Sequence, residues 1–389
     1  MPVGAGVPAR AGEKMTIRSG LVSEPVSRRQ VLKTGLATAA VAAMGGTGAA
    51  LTQKQGSVAL SSDGPVIDIH AHYFPETYLD LVNSEGKRFD ASWHMTEKGW
   101  FIKTPAASNG PLSPKFIDVK ARIADMDQQG VAVQAISLTA PMLYWADAEL
   151  STKLAKAWND AATAAHQAYP TRLVSFLTLP MLYPDRALDE LNRASKLPGM
   201  RGVYLGTNIG SHELDDPLFE PILARIEALD LPIFLHPVEP IGGDRLKTFF
   251  LSNLIGNPVD TAVAACHLIF GGVLDRHPRL QIGLPHAGGV LPILIGRIDQ
   301  GWRTRPELKS LPQAPSAYLT RFTYDTITHS KAVMEFVINA VGAERIMLGS
   351  DYCFTMGYDR PVQFLEQVDL ASAQRKMILG GNAARLLKL

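Results

Sequence analysis

From Pro65 onward the apolar positions follow two alternating rhythms. Short β-branched or apolar runs at Val66–His70, Val131–Thr139, Leu173–Leu179, Gly202–Gly206, Pro232–His236, Leu280–Pro285, Arg321–Asp325 and Arg345–Ser350 read as strands. Between them, Val119–Gln129, Ala148–Tyr169, Arg186–Lys196, Pro217–Leu229, Val259–Phe270, Val290–Trp302 and Lys331–Val341 carry apolar residues at helical spacing. Alternation of this kind predicts an α/β protein built as a (β/α)8 TIM barrel over residues 65–389. A doubly wound open sheet is the competing architecture. It would usually place a glycine-rich phosphate loop after its first strand, where this chain has His70-Ala71-His72. Tyr73–Phe116 shows no helical period and reads as a long loop insertion after strand 1, a lid or a substrate-binding element.

The first fifty residues follow neither rhythm. Ser27-Arg28-Arg29-Gln30-Val31-Leu32-Lys33 precedes an Ala/Gly-rich apolar stretch from Thr34 to Leu51. Paired arginines ahead of a weakly hydrophobic segment read as a twin-arginine export signal over residues 1–51, with cleavage near Ala49-Ala50 and a polar leader over 52–64. Gly35, Gly45, Gly46 and Gly48 make the stretch a poor membrane anchor. The mature protein is therefore expected in the periplasm, off the membrane. Met15 offers an alternative translation start.

Composition narrows the field by exclusion. The 389 residues are 46% hydrophobic and 19% charged, which fits a folded globular chain. Lys and Arg total 38 against 37 Asp and Glu, so no long-range field draws nucleic acid or anionic lipid. Two cysteines, Cys266 and Cys353, exclude a disulfide framework and a multi-cysteine zinc module.

The informative polar residues stand at strand ends. His70 and His72 are two apart on an extended run, so both imidazoles point to one side. His236 ends the fifth run, His286 follows the sixth and Asp351 follows the eighth. The C-terminal ends of barrel strands share one face, so these five residues can meet there. Nitrogen and oxygen donors of this kind suit zinc, with manganese or iron as alternatives. His94, His166, His212, His267 and His277 fall in loops or helices and read as structural or solvated, whereas His329 can line the mouth.

Several stretches carry a resemblance. They are Asp68-Ile69-His70-Ala71-His72-Tyr73-Phe74-Pro75, the run Arg122–Gly130, Leu235-His236-Pro237, His286-Ala287-Gly288-Gly289, Gly296-Arg297-Ile298, Gly349-Ser350-Asp351-Tyr352 and Gly381-Asn382-Ala383. With them the chain resembles the metal-dependent amidohydrolase superfamily, in the branch of aminocarboxymuconate-semialdehyde decarboxylase. The resemblance implies His70, His72, His236 and Asp351 as metal ligands and His286 as the acid/base that manages metal-bound water. Arg297 matches a family arginine that reaches a substrate carboxylate across a subunit interface, which implies a homodimer; the competing reading is a surface ion pair.

Two departures bear on the substrate. Where the namesake decarboxylases carry another arginine after strand 1, this chain has Ser108-Asn109-Gly110-Pro111, and the family tryptophan after the third ligand is replaced by Pro237-Val238. The expectation is a non-oxidative decarboxylase of a small unsaturated or aromatic acid with fewer carboxylates than the namesake's. Hydrolysis of a lactone or amide by the same site is the alternative, and an exported non-catalytic barrel is a third reading that the presence of His286 and Asp351 opposes.

Overall fold

Eight apolar runs become eight parallel strands in sequential order: β1 Ile67–His72, β2 Val133–Ser137, β3 Leu173–Leu177, β4 Met200–Gly206, β5 Ile233–His236, β6 Ile282–Leu284, β7 Phe322–Asp325 and β8 Ile346–Met347. The computed structural model describes residues 64–105 and 108–389. The expected export signal at 1–51, and the leader except Gly64, lie outside the described residues.

Each strand pairs in parallel with its successor. The ring closes where the Ile69 N–H donates to Leu348 O at 2.8 Å and the Asp351 N–H donates to His70 O at 2.8 Å. Every residue of β1 is buried, as a strand covered on both faces must be. Helices supply the outer cover. Asp118 caps Val119–Gln129 by accepting from the Ala121 N–H at 2.9 Å, and Gly130, at φ 73°, ends that helix in the left-handed region that glycine tolerates. Trp158, fully buried on Ala148–Ala168, donates its indole N–H to Tyr73 O at 2.9 Å, fastening the outer layer to the exit of β1.

The segment after β1 departs from expectation. Instead of an aperiodic loop it holds a helix, Glu76–Ser84, and a three-stranded antiparallel sheet of Ser92–Thr96, Gly99–Lys103 and Ser108–Leu112. The helix buries only Tyr78, Leu79 and Val82, too few for a visible period. The small sheet is largely solvent-facing, so its strands lack an apolar alternation, and stacked Trp93 and Trp100 rings (centroids 4.8 Å apart) hold it instead. The last barrel strand is also shorter than its sequence run, because Gly349-Ser350-Asp351 turns out of the ladder to form the site.

Candidate active site

His70 and His72 leave β1 on the same side, as period two requires, and His236 and Asp351 approach from the ends of β5 and β8. One donor atom from each of the four buried residues lies within 4.8 Å of all the others. His72 Nε2 is 3.1 Å from His70 Nε2 and 2.9 Å from Asp351 Oδ1.

The outward nitrogens fix which atoms point inward. His70 Nδ1 sits 2.7 Å from Asp325 Oδ2, and His236 Nδ1 sits 2.9 Å from the Pro237 carbonyl. Both partners only accept, so each Nδ1 carries the proton. His72 Nδ1 is 3.2 Å from Ser137 Oγ, whose own hydroxyl donates to Ala71 O. Three Nε2 lone pairs and a carboxylate are thus aimed at one point, with no protein cation among them. A divalent ion with ligands at about 2.0–2.2 Å fits this donor set.

Protons compete for the same point. Burial pushes the Asp351 carboxyl up to about 7, reinforced by Asp325 and Asp68. Burial opposes a charged His70 ring, yet the hydrogen bond to Asp325 and the nearby carboxylates outweigh it and raise its pKa. Burial and then the neighbouring imidazoles hold His72 and His236 well below the ordinary histidine value, so those two rings are already neutral donors. An ion must therefore displace a proton from Asp351 below about pH 7. Zinc affinity, read by competition with a chromophoric chelator, should climb as pH rises from about 5.5 through about 7, as Asp351 and His70 both give up protons. An affinity constant across that range would contradict the assignment.

A second carboxylate, which sequence reasoning missed, organises the site. Asp325, at the end of β7, accepts from His70 Nδ1, from the backbone N–H of His286 at 2.9 Å and of Ala287 at 2.8 Å, and from the Ile327 N–H at 3.0 Å. Burial alone would raise this carboxyl, but the His70 hydrogen bond and the adjacent imidazoles hold it below the usual carboxylate range. The available signal was positional, since Asp325 closes a strand run on the same face as the four donors. Deeper still, Asp68 accepts from Gln134 Nε2 at 2.8 Å and from the Ser350 N–H at 3.0 Å. Buried Arg122 bridges Gln134 Oε1 (2.7 Å) and the carbonyl of His72. This network pins β1 to the turn that carries Asp351.

His286 sits in a tight turn with φ 52°, followed by Ala287 at φ 53°, a left-handed pair held by the Asp325 contacts. Its Nε2 lies 4.0 Å from Asp351 Oδ2, beyond hydrogen-bond reach, and its Nδ1 has no partner among the described residues. Neither ring nitrogen is committed, so the ring can gain or lose a proton without breaking a protein hydrogen bond. Burial and the neighbouring His70 bring its pKa down to about 4.

Two lobes of one cleft, about 240 and 310 Å³, meet at His286 and Asp351. His329 lines the first lobe; Asn109 lines the second, its amide donating to Ala140 O at 3.0 Å. Arg297 is not brought to this cleft by its own chain; it is exposed on the helix Leu291–Thr304, one turn beyond Ile293, which does line it. Cys353 is half-buried, and burial pushes its thiol up to about 12, as befits a packing residue. His94, His166, His212, His267 and His277 each have a partner elsewhere in the fold.

Comparison with known proteins fits this geometry. The amidohydrolase family profile matches residues 67–389. The chain belongs to the amidohydrolase family. Among relatives of this amidohydrolase, 2-amino-3-carboxymuconate-6-semialdehyde decarboxylase of Dictyostelium discoideum is 31% identical over 332 residues, covering 83% of this chain and 91% of that protein. The crystal structure of 5-carboxyvanillate decarboxylase from Sphingomonas paucimobilis superposes with a TM-score of 0.73 at 27% identity, covering 84% of this chain and 99% of that one. Dihydroxybenzoic acid decarboxylase from Polaromonas sp. JS666, crystallised with manganese and 2-nitroresorcinol, gives 0.70 at 27% identity, covering 84% and 97%. A twin-arginine translocation pathway signal sequence matches residues 25–45 of the amidohydrolase, which implies export. Among the described residues no helix is long and apolar enough to cross a membrane.

Proposed function

We propose that this amidohydrolase is a metal-dependent, non-oxidative decarboxylase of a small aromatic or unsaturated carboxylic acid. The observation that carries the reading is the set of four buried donors aimed at one point beside His286, a histidine with no competing partner. Decarboxylases among its relatives support it over lactone or amide hydrolysis. His70, His72, His236 and Asp351 would hold the ion, zinc on the donor chemistry, with manganese the alternative that the Polaromonas structure favours. When bound, a divalent ion supplies positive charge and Lewis acidity beside the reacting carboxylate.

The chain's own residues would do the rest. With its imidazole neutral at rest, His286 would take a proton from water entering with the substrate and pass it to the carbon that bears the carboxylate; the carbon–carboxylate bond then breaks, its electron pair returns to the unsaturated system, and CO₂ leaves. Asp325 keeps that imidazole beside the ligands by holding its backbone N–H. Leu254, Ile293 and Val337 give the first lobe an apolar wall beside the departing group.

Arg297 would reach substrate from a second copy. In support, exposed Phe250, Leu254, Ile293 and Val333 leave an apolar rim at the cleft that a homodimer would cover. We read residues 1–51 as the export signal, 52–64 as the leader and 65–389 as the catalytic barrel, with the mature enzyme in the periplasm. Arg28→Lys with Arg29→Lys should leave the protein in the cytoplasm; undiminished periplasmic yield would refute this.

The deciding assay offers zinc- and manganese-loaded enzyme a panel of hydroxybenzoates, muconate-type acids, lactones and amides. CO₂ release is expected. Ring opening without CO₂ would transfer the enzyme to the hydrolase reading. Arg297→Lys should raise KM more than it changes zinc content, because the ion is held by other residues.

A further inference from the structure

Four residues line both lobes of the cleft: His286, Asp351, Asn253 and Asn257. The first two belong to the reaction centre. The asparagines stand four apart across the junction of the Ser252–Gly256 turn and the Asn257–Phe270 helix, a spacing that stacks both on one face. Both are half-buried, and neither side-chain amide has a hydrogen-bond partner among the described residues. Polar groups drawn partly out of water and left uncommitted at a cleft junction are positioned to pair with a ligand.

The charges around them define what that ligand carries. Apart from imidazoles, the lining of the two lobes holds one cationic side chain, Lys247, which is exposed and paired with Asp244. The loop after β1 contributes Ser108 and Asn109 to the wall rather than an arginine. One carboxylate is served by the ion and by Arg297 from a second copy. A second carboxylate in the cleft would meet no free cation, and Asp351 would repel it. Amides, by contrast, offer a donor and an acceptor each and no charge.

We propose that Asn253 and Asn257 are the specificity-determining pair, hydrogen-bonding a neutral hydroxyl or carbonyl substituent on a substrate with a single carboxylate. The carboxylate half of this statement rests on the decarboxylase reading above; the amide contacts do not.

The test is titration calorimetry of the full-length, zinc-loaded protein with the three monohydroxybenzoates, benzoate and the three benzenedicarboxylates, with CO₂ followed in parallel. Two neutral hydrogen bonds should make the best hydroxybenzoate bind about 10-fold more tightly than benzoate or any dicarboxylate. Asn253→Leu with Asn257→Leu should abolish that preference while leaving zinc content and benzoate affinity unchanged. Should the double variant lose zinc or fail to fold, Asn253→Ser and Asn257→Ser singly should each weaken the preference by about 3-fold. Tightest binding by a dicarboxylate, or a preference that survives these substitutions, overturns the proposal. Hydroxybenzoate preference without CO₂ would count against decarboxylation and for the asparagines; CO₂ from dicarboxylates alone would do the reverse.

Discussion

The His286→Ala variant should lose about 10²–10⁴-fold in kcat/KM while keeping its full zinc content. The separation of the two readouts follows from geometry. His286 Nε2 is 4.0 Å from the nearest Asp351 oxygen, and the four donors that converge do so without it. A packing role predicts the opposite pattern, a modest loss of stability with turnover nearly intact, because the ring is flanked by cleft on both sides. Single-turnover measurement with metal quantified on the same sample distinguishes these, and turnover within 3-fold of the parent would remove His286 from the reaction.

Asp325→Asn should damage two properties together. The carboxylate orients His70 through Nδ1 and anchors the His286 turn through two backbone N–H groups. An amide retains one oxygen and turns an NH₂ towards groups that are themselves donors. Loss of the orienting partner of a metal-ligating histidine typically costs 10–100-fold in metal affinity. The freed turn should then lower turnover further, even when excess zinc restores occupancy, since residues 286 and 287 keep left-handed backbone only while held. Zinc affinity and saturated-zinc kcat both unchanged would reduce Asp325 to a bystander.

The barrel was legible because its strands are buried on both faces and separated by helices long enough to show a period, as at Ala148–Ala168. The donor residues were legible for a related reason: a polar side chain ending an apolar run is conspicuous, and parallel strands deliver all such ends to one face. Asp325 ends its run in the same way, yet a carboxylate there has too many ordinary roles for sequence to single out, and its importance lies in contacts 255 positions away in the chain, with His70. Arg122 stood within a recognised stretch but betrays nothing of its reach to Gln134 and the His72 carbonyl. The Glu76–Ser84 helix and the small sheet were illegible because they bury little, leaving no periodic apolar signal. Asn253 and Asn257 carry no motif; only the turn that brings them to the cleft makes them notable.

The small sheet after β1 carries its own aromatic pin, Trp93 on Trp100, and reaches the cleft through little more than Ser108 and Asn109. None of the four convergent donors resides on it. A different sheet grafted here would change the wall that Ser108 and Asn109 give the cleft and leave the four convergent donors in place.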